Sequence, residues 1–120
     1  MLTVLIIEDE EQLRKTLRQI LERANYKVLE AADGIEGVEM FKAHNPEIVL
    51  TDIDLPKQDG IQTLFKLRGE SSQSHVIAMT GVPEYGEKFL EVAKQLGAGT
   101  VLPKPFDSKR LLEVIRGLDA

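Results

Sequence analysis

Along the chain, short runs of leucine and β-branched residues alternate with longer segments in which apolar residues return every three or four positions, and the alternation repeats five times. The short runs predict strands at Leu2 to Ile7, Tyr26 to Glu30, Glu47 to Leu50, His75 to Met79 and Thr100 to Leu102. Several are apolar after a polar first residue, as strands covered on both faces are, so the sheet is predicted to be parallel and buried. Between them, Leu13, Leu17, Ile20, Leu21 and Ala24 share one face of a first helix, which Asn25 can end by taking a left-handed conformation. Ile35, Val38 and Phe41 mark a second helix, opened by Asp33-Gly34 and stopped by Asn45-Pro46. Ile61, Leu64, Phe65 and Leu67 mark a third, stopped near Gly69, and Phe89, Val92, Ala93 and Leu96 a fourth, ending at Gly97. A fifth follows Asp107, which suits an N-cap, with Leu111, Leu112, Ile115 and Leu118 turned inward. The pattern is α/β: five βα units without a linker, in one domain over residues 1–120.

A parallel sheet with right-handed crossovers carries helices on both faces only if the strand order reverses somewhere, and the reversal leaves a crevice at the carboxyl ends of the strands. The chemically unusual residues all follow strands: Glu8 and Asp9 the first, Asp52 and Asp54 the third, Thr80 the fourth, Lys104 the fifth. In the flavodoxin-like order 2-1-3-4-5, strands one and three are neighbours, so Asp9 and Asp52 face each other with Glu8 close behind. Like charges ~4 Å apart repel by about 4 kcal/mol at an effective dielectric of 20, and a divalent cation relieves this. Oxygen donors around an open site favour Mg²⁺ or Mn²⁺ over zinc, because His44 and His75 lie at the opposite strand ends. Taken singly, each residue has a commoner explanation: acids favoured at a helix start, loop acids before a Pro56 turn, a strand-end threonine, a solvated lysine between prolines. Their common address argues for a site.

Composition narrows the function. With 120 residues, 42% of them hydrophobic, the chain can bury the core of one compact domain. A net charge of −5 without a lysine or arginine block disfavours direct nucleic-acid binding. The absence of cysteine removes disulfides, thiol catalysis and thiolate metal sites. No apolar run reaches the ~20 residues of a membrane span, and no signal-peptide pattern opens the chain, so no membrane insertion and a cytoplasmic location are expected.

The acidic pair in VLIIEDE, the strand-end acid in IVLTDIDLPKQDG, the hydroxyl in VIAMTG and the lysine in GAGTVLPKPF occur in the order found in receiver domains of two-component signalling, and from Leu2 to about Leu118 the chain resembles that family. The resemblance implies a doubly wound fold and a phosphoacceptor function. Asp52 would take a phosphoryl group from a phosphohistidine on a sensor kinase or phosphotransfer protein. Asp9 and Asp52 would bind Mg²⁺ directly, with the backbone carbonyl of Asp54 as a third ligand and Glu8 acting through water. Lys104, joined to Pro105 by a cis bond, would pair with a phosphoryl oxygen, Thr80 would hydrogen-bond another, and the backbone N–H groups of Ile53 and Gly81 would complete the cradle. Such a domain promotes its own phosphorylation and slow dephosphorylation and does not turn over a free substrate; its output is contact with a downstream protein. Helix one near the acidic pocket would meet the histidine donor. Its basic residues Arg14, Lys15, Arg18 and Arg23 are read chiefly as a solvated face.

Two positions depart from the family pattern. Many receivers carry an aromatic switch residue three positions before the lysine; here it is Val101, so the signal is expected to pass through the loop from Gly81 to Gly86. Asp54, which borders the path of a hydrolytic water, and Val82, in that loop, are expected to tune the phosphoryl lifetime. Only Leu118-Asp119-Ala120 follow the last helix, so no output domain is expected within the chain, whether it is free-standing or part of a larger regulator or hybrid kinase. The strongest rival is a Mg²⁺-dependent phosphatase of the haloacid-dehalogenase type, but its Asp-x-Asp lies on the first strand and continues with Gly-Thr, whereas Leu55-Pro56 follow here. A flavin carrier needs a phosphate-cradling loop after strand one, where Glu8 to Glu11 would repel the phosphate. A fold-only interaction domain would be expected to lack a member of the residue set.

Overall fold

The computed structural model describes residues 2–52, 74–81 and 99–119. They form β1 (Thr3–Ile7), α1 (Glu11–Arg23), β2 (Lys27–Ala31), α2 (Gly34–His44), β3 (Ile48–Asp52), β4 (His75–Thr80), β5 (Thr100–Pro103) and α3 (Ser108–Asp119). The five strands make one parallel sheet in the order β2-β1-β3-β4-β5, as expected. The helices predicted around Ile61 to Leu67 and Phe89 to Leu96 lie outside the described residues.

Alternation along the strands divides the core in two. Leu5 and Ile7 of β1, Val49 of β3 and Val76 and Ala78 of β4 point to the face that α2 covers with Val38 and Phe41. Val4, Ile6, Ile48, Leu50, Ile77 and Met79 point to the other, where Leu17 and Leu21 of α1 and Leu111 and Ile115 of α3 meet them. A strand buried on both faces has no polar side, which is why Val4 to Ile7 of β1 and Ile48 to Leu50 of β3 are apolar without a break. Each fully buried aliphatic side chain contributes about 1.5 to 3 kcal/mol relative to an exposed one.

The helix ends follow local chemistry. At the close of α1, Asn25 takes φ 70°, the Tyr26 N–H donates to the Leu21 carbonyl and the Asn25 N–H to that of Glu22. This is a Schellman cap, and Leu21 and Tyr26 pack into the same core across it. At the start of α2, the Asp33 carboxylate accepts from the Glu36 N–H at 2.8 Å, and at its end Asn45 takes φ 48°. Asp107 caps α3 in the same way, accepting from the Arg110 N–H at 2.8 Å. Ile35, one of the residues that mark α2, is 47% exposed. The close-packed position on that helix is instead Gly37, where a Cβ would stand 2.5 Å from the Cδ1 of Ile7. A glycine carries no hydrophobicity, so an apolar pattern passes over it.

Strand ends differ from expectation by one or two residues. β3 runs on through Thr51 and Asp52, which pair with Ala78 and Met79, because the hydrogen-bond ladder continues past the last apolar residue. Asp52 is thus the last residue of the strand rather than the second after it.

Candidate functional site

The register of the sheet builds the site. Ile7 pairs with Thr51, so Glu8 and Asp52 stand side by side one step beyond that pair, at the point where the strand order reverses. Glu8 continues the side of β1 that holds Val4 and Ile6, and Asp52 the side of β3 that holds Ile48 and Leu50; both are buried, at 1% and 4% exposure. Asp9, next in the chain, is exposed. One carboxylate oxygen from each of Glu8, Asp9 and Asp52 lies within 4.8 Å of the others.

Lys104 follows β5, its N–H donating to the Thr80 carbonyl at 2.7 Å, and its side chain crosses the crevice to the acids. Its Nζ donates to Glu8 Oε1 at 2.8 Å and to Asp52 Oδ2 at 3.0 Å. The Lys104–Pro105 bond is cis. A Cβ on Gly81 would stand 3.4 Å from the Cδ of Lys104, so the chain after β4 borders the lysine stem closely. Burial pushes the Glu8 carboxyl up to about 7, the hydrogen bond from Lys104 opposes this, and the charge of Asp52 adds to it. Burial also works against the Lys104 ammonium, but its hydrogen bonds to Glu8 and Asp52 outweigh that and hold it above its ordinary value. The lysine stays charged, and Glu8 holds a proton more tightly than an exposed glutamate does.

Glu8, Asp9, Asp52 and Lys104 therefore meet at one edge of the sheet. Thr80 ends β4, buried, and pairs with Pro103 on the strand beside it, while Gly81 follows it at the surface. Val101, half-buried, packs against the core under α2. Ile53, Asp54 and Val82 lie outside the described residues.

The basic row on α1 is only partly a solvated face. Arg14 donates from Nη1 to the main-chain carbonyl of Glu8 at 2.9 Å and from Nε to Glu30 on β2 at 3.3 Å. Arg18 reaches the same Glu30 at 2.6 Å, and Lys15 pairs with Glu11 at 2.9 Å. The role of Arg14 was not evident in the sequence, where nothing but its place six residues after Glu8 hinted at a link.

A family model described as the response regulator receiver domain matches residues 4–116. The chain belongs to that family. This receiver is 33% identical to a chemotaxis protein CheY of Halobacterium salinarum over 112 residues, which are 93% of the chain and 92% of the relative. It is 30% identical over 114 residues to the sporulation initiation phosphotransferase F of Bacillus subtilis, covering 94% and 90% of the two. A crystal structure of a CheY-like receiver domain protein from Methanospirillum hungatei superposes with a TM-score of 0.93 at 28% identity, covering 99% of this chain and 94% of that one. As a receiver, the protein is a phosphoacceptor domain of two-component signalling. Receivers of this kind work through contact with kinases or phosphotransfer proteins and with downstream targets. Among the described residues no helix is long and apolar enough to cross a membrane.

Proposed function

We propose that Asp52 is the phosphoacceptor and that it takes its phosphoryl group from a phosphohistidine on a kinase or phosphotransfer protein. The observation that carries this reading is the convergence of Asp52, Glu8 and Asp9 at the strand reversal with Lys104 donating to two of them. An Asp52 carboxylate oxygen attacks phosphorus, the phosphorus–nitrogen bond to the donor imidazole breaks, and the bond's electron pair leaves with the imidazole. The product is an acyl phosphate, which water later hydrolyses.

The acids fit a divalent ion. Three carboxylates supply hard oxygen donors, the exposed Asp9 leaves one side open to water, and a cation relieves the repulsion from Asp52 that adds to burial in raising the Glu8 carboxyl. Asp9 and Asp52 would hold Mg²⁺ directly, with Mn²⁺ as an alternative, Glu8 would act through water and the Asp54 carbonyl would complete the protein ligands. Once bound, the ion supplies charge neutralisation for the transferring oxygens. Lys104, already charged and held at the crevice, turns from the carboxylates to a phosphoryl oxygen and keeps the acyl phosphate oriented. Thr80 and the N–H groups of Ile53 and Gly81 receive the remaining oxygens, and Asp54 and Val82 set how readily water approaches. With Val101 at the switch position, the change passes through the loop after Gly81 to a downstream protein.

Leu13, Leu17 and Ile20 of α1 border Pro105 and Phe106, leaving an apolar seam that Lys104 also lines. The seam supports a protein donor over a small free substrate, so the domain is modified about once per signal and is not a turnover enzyme. A cytoplasmic location, where kinases and phosphotransfer proteins act, and an output without direct nucleic-acid contact complete the reading. The test is intact mass after incubation with Mg²⁺ and phosphoramidate. One phosphoryl group gained by wild type, dependent on metal and absent in Asp52→Ala, is the expected result; an equal gain in the variant would move the acceptor elsewhere.

A further inference from the structure

The acidic pair is held by its backbone as well as by its side chains. The Glu8 N–H donates to the Ala31 carbonyl on β2 at 3.0 Å, and the Glu8 carbonyl accepts from Arg14 Nη1 at 2.9 Å. The second bond falls on the peptide that joins Glu8 to Asp9, two of the three acids whose carboxylate oxygens lie close enough together to hold one ion. Arg14 is fixed in turn, since its Nε donates to Glu30 Oε1 at 3.3 Å, and Arg18 binds the other oxygen of that carboxylate at 2.6 Å. The arginine and glutamate side chains are only 17% and 24% exposed. A guanidinium is a planar fork with a fixed charge, so one edge can reach a carbonyl while another stays on a carboxylate; a lysine ammonium has no such reach in two set directions.

We propose that Arg14, anchored by Glu30, is a positioning residue that orients the Glu8–Asp9 peptide for divalent-cation binding. The inference rests on the reading of the acidic cluster as a Mg²⁺ site. It ties the site to β2, the edge strand, through the side chains of Arg14 and Glu30.

The sign of the effect separates positioning from charge. Arg14 is a cation close to a cation site, so its removal by electrostatics alone tightens Mg²⁺ binding. Loss of orientation weakens it, and partners one shell removed from metal ligands cost about tenfold or more in affinity when lost. The experiment is Mg²⁺ titration by calorimetry of folded wild type, Arg14→Met, Arg14→Lys and Glu30→Gln, with amide NMR of the metal-free proteins. The expected result is a Kd about tenfold higher in both Arg14 variants, a smaller rise in Glu30→Gln, and shifted Glu8 and Asp9 amide signals. A structural role alone lowers Tm and leaves the Kd of the folded protein where it was; that outcome, or tighter binding in Arg14→Met, overturns the proposal. Full rescue by Arg14→Lys reduces the residue to its charge and also overturns it. Should Arg14→Met not fold, Arg14→Lys and Glu30→Gln decide alone. No Mg²⁺ binding by wild type itself would instead remove the metal reading, a failure visible before any variant is compared.

Discussion

Glu8 is the residue at which stability and chemistry oppose each other most directly. It is 1% exposed, beside Asp52, with its carboxyl raised from 4.5 to about 7 chiefly by burial. The folded protein therefore holds a proton that the unfolded chain releases earlier. The contribution of this group to stability is complete below pH 4.5 and is lost as pH rises through about 7. Glu8→Gln removes the titration while leaving Lys104 a carbonyl to donate to. Without metal, the variant is expected to be more stable than wild type at pH 8, by on the order of 2 kcal/mol, and equal to it near pH 4. Urea unfolding at the two pH values measures the difference; the same advantage at both would assign it to packing rather than to the buried charge. The sequence announced an acidic pair but not which member is buried. That follows from Ile7 being the last residue of β1 to pair with β3, which sends Glu8 to the crevice side and leaves Asp9 outside.

Helix α2 shows where reading by pattern succeeds and where it stops. Asp33, Asn45 and the apolar Val38 and Phe41 were all legible, because caps and periodic hydrophobic positions act locally. The exposure of Ile35 and the close packing of Gly37 were not legible, because both depend on how the helix sits on β1, which no local signal states. A methyl group at position 37 would meet the fully buried Ile7 at 2.5 Å. Gly37→Ala gains up to about 1 kcal/mol of helix propensity but loses about 1 to 3 kcal/mol by overpacking. A net loss of about 1 kcal/mol is expected, read as a lower urea midpoint with an unchanged m-value. The pair Gly37→Ala with Ile7→Val should lose less than the two single changes added, since the shorter side chain removes the nearest atom, Cδ1 at 2.5 Å, and leaves only the Cγ1 at 2.8 Å and the Cγ2 at 3.2 Å to be accommodated. Strict additivity would mean that the clash is relieved by movement of the helix instead.

The whole fold was more legible than the site it carries. Alternating strand and helix patterns imply a doubly wound sheet, and the sheet brings its carboxyl ends to one edge whatever residues stand there. The lysine's simultaneous hold on Glu8 and Asp52 depends on a side chain from position 104 crossing to residues far earlier in the chain, and only the completed sheet brings them together. Because those acids extend β1 and β3, which pair with each other and serve both halves of the core, a ligand bound at the edge stabilises the molecule rather than a loop. At a Mg²⁺ concentration about 100 times its Kd the gain is about 2.7 kcal/mol, which for a domain of this size raises Tm by roughly 10 °C. Asp9 isolates the effect. It is exposed, so Asp9→Asn leaves the metal-free Tm within a few degrees of wild type, yet it removes one of the three carboxylates of the cluster. Most of the Mg²⁺-induced rise should disappear in this variant when the two are melted with and without the ion at matched ionic strength. An equal rise in both would mean that the ion acts by screening the acidic surface and not by binding between the strands.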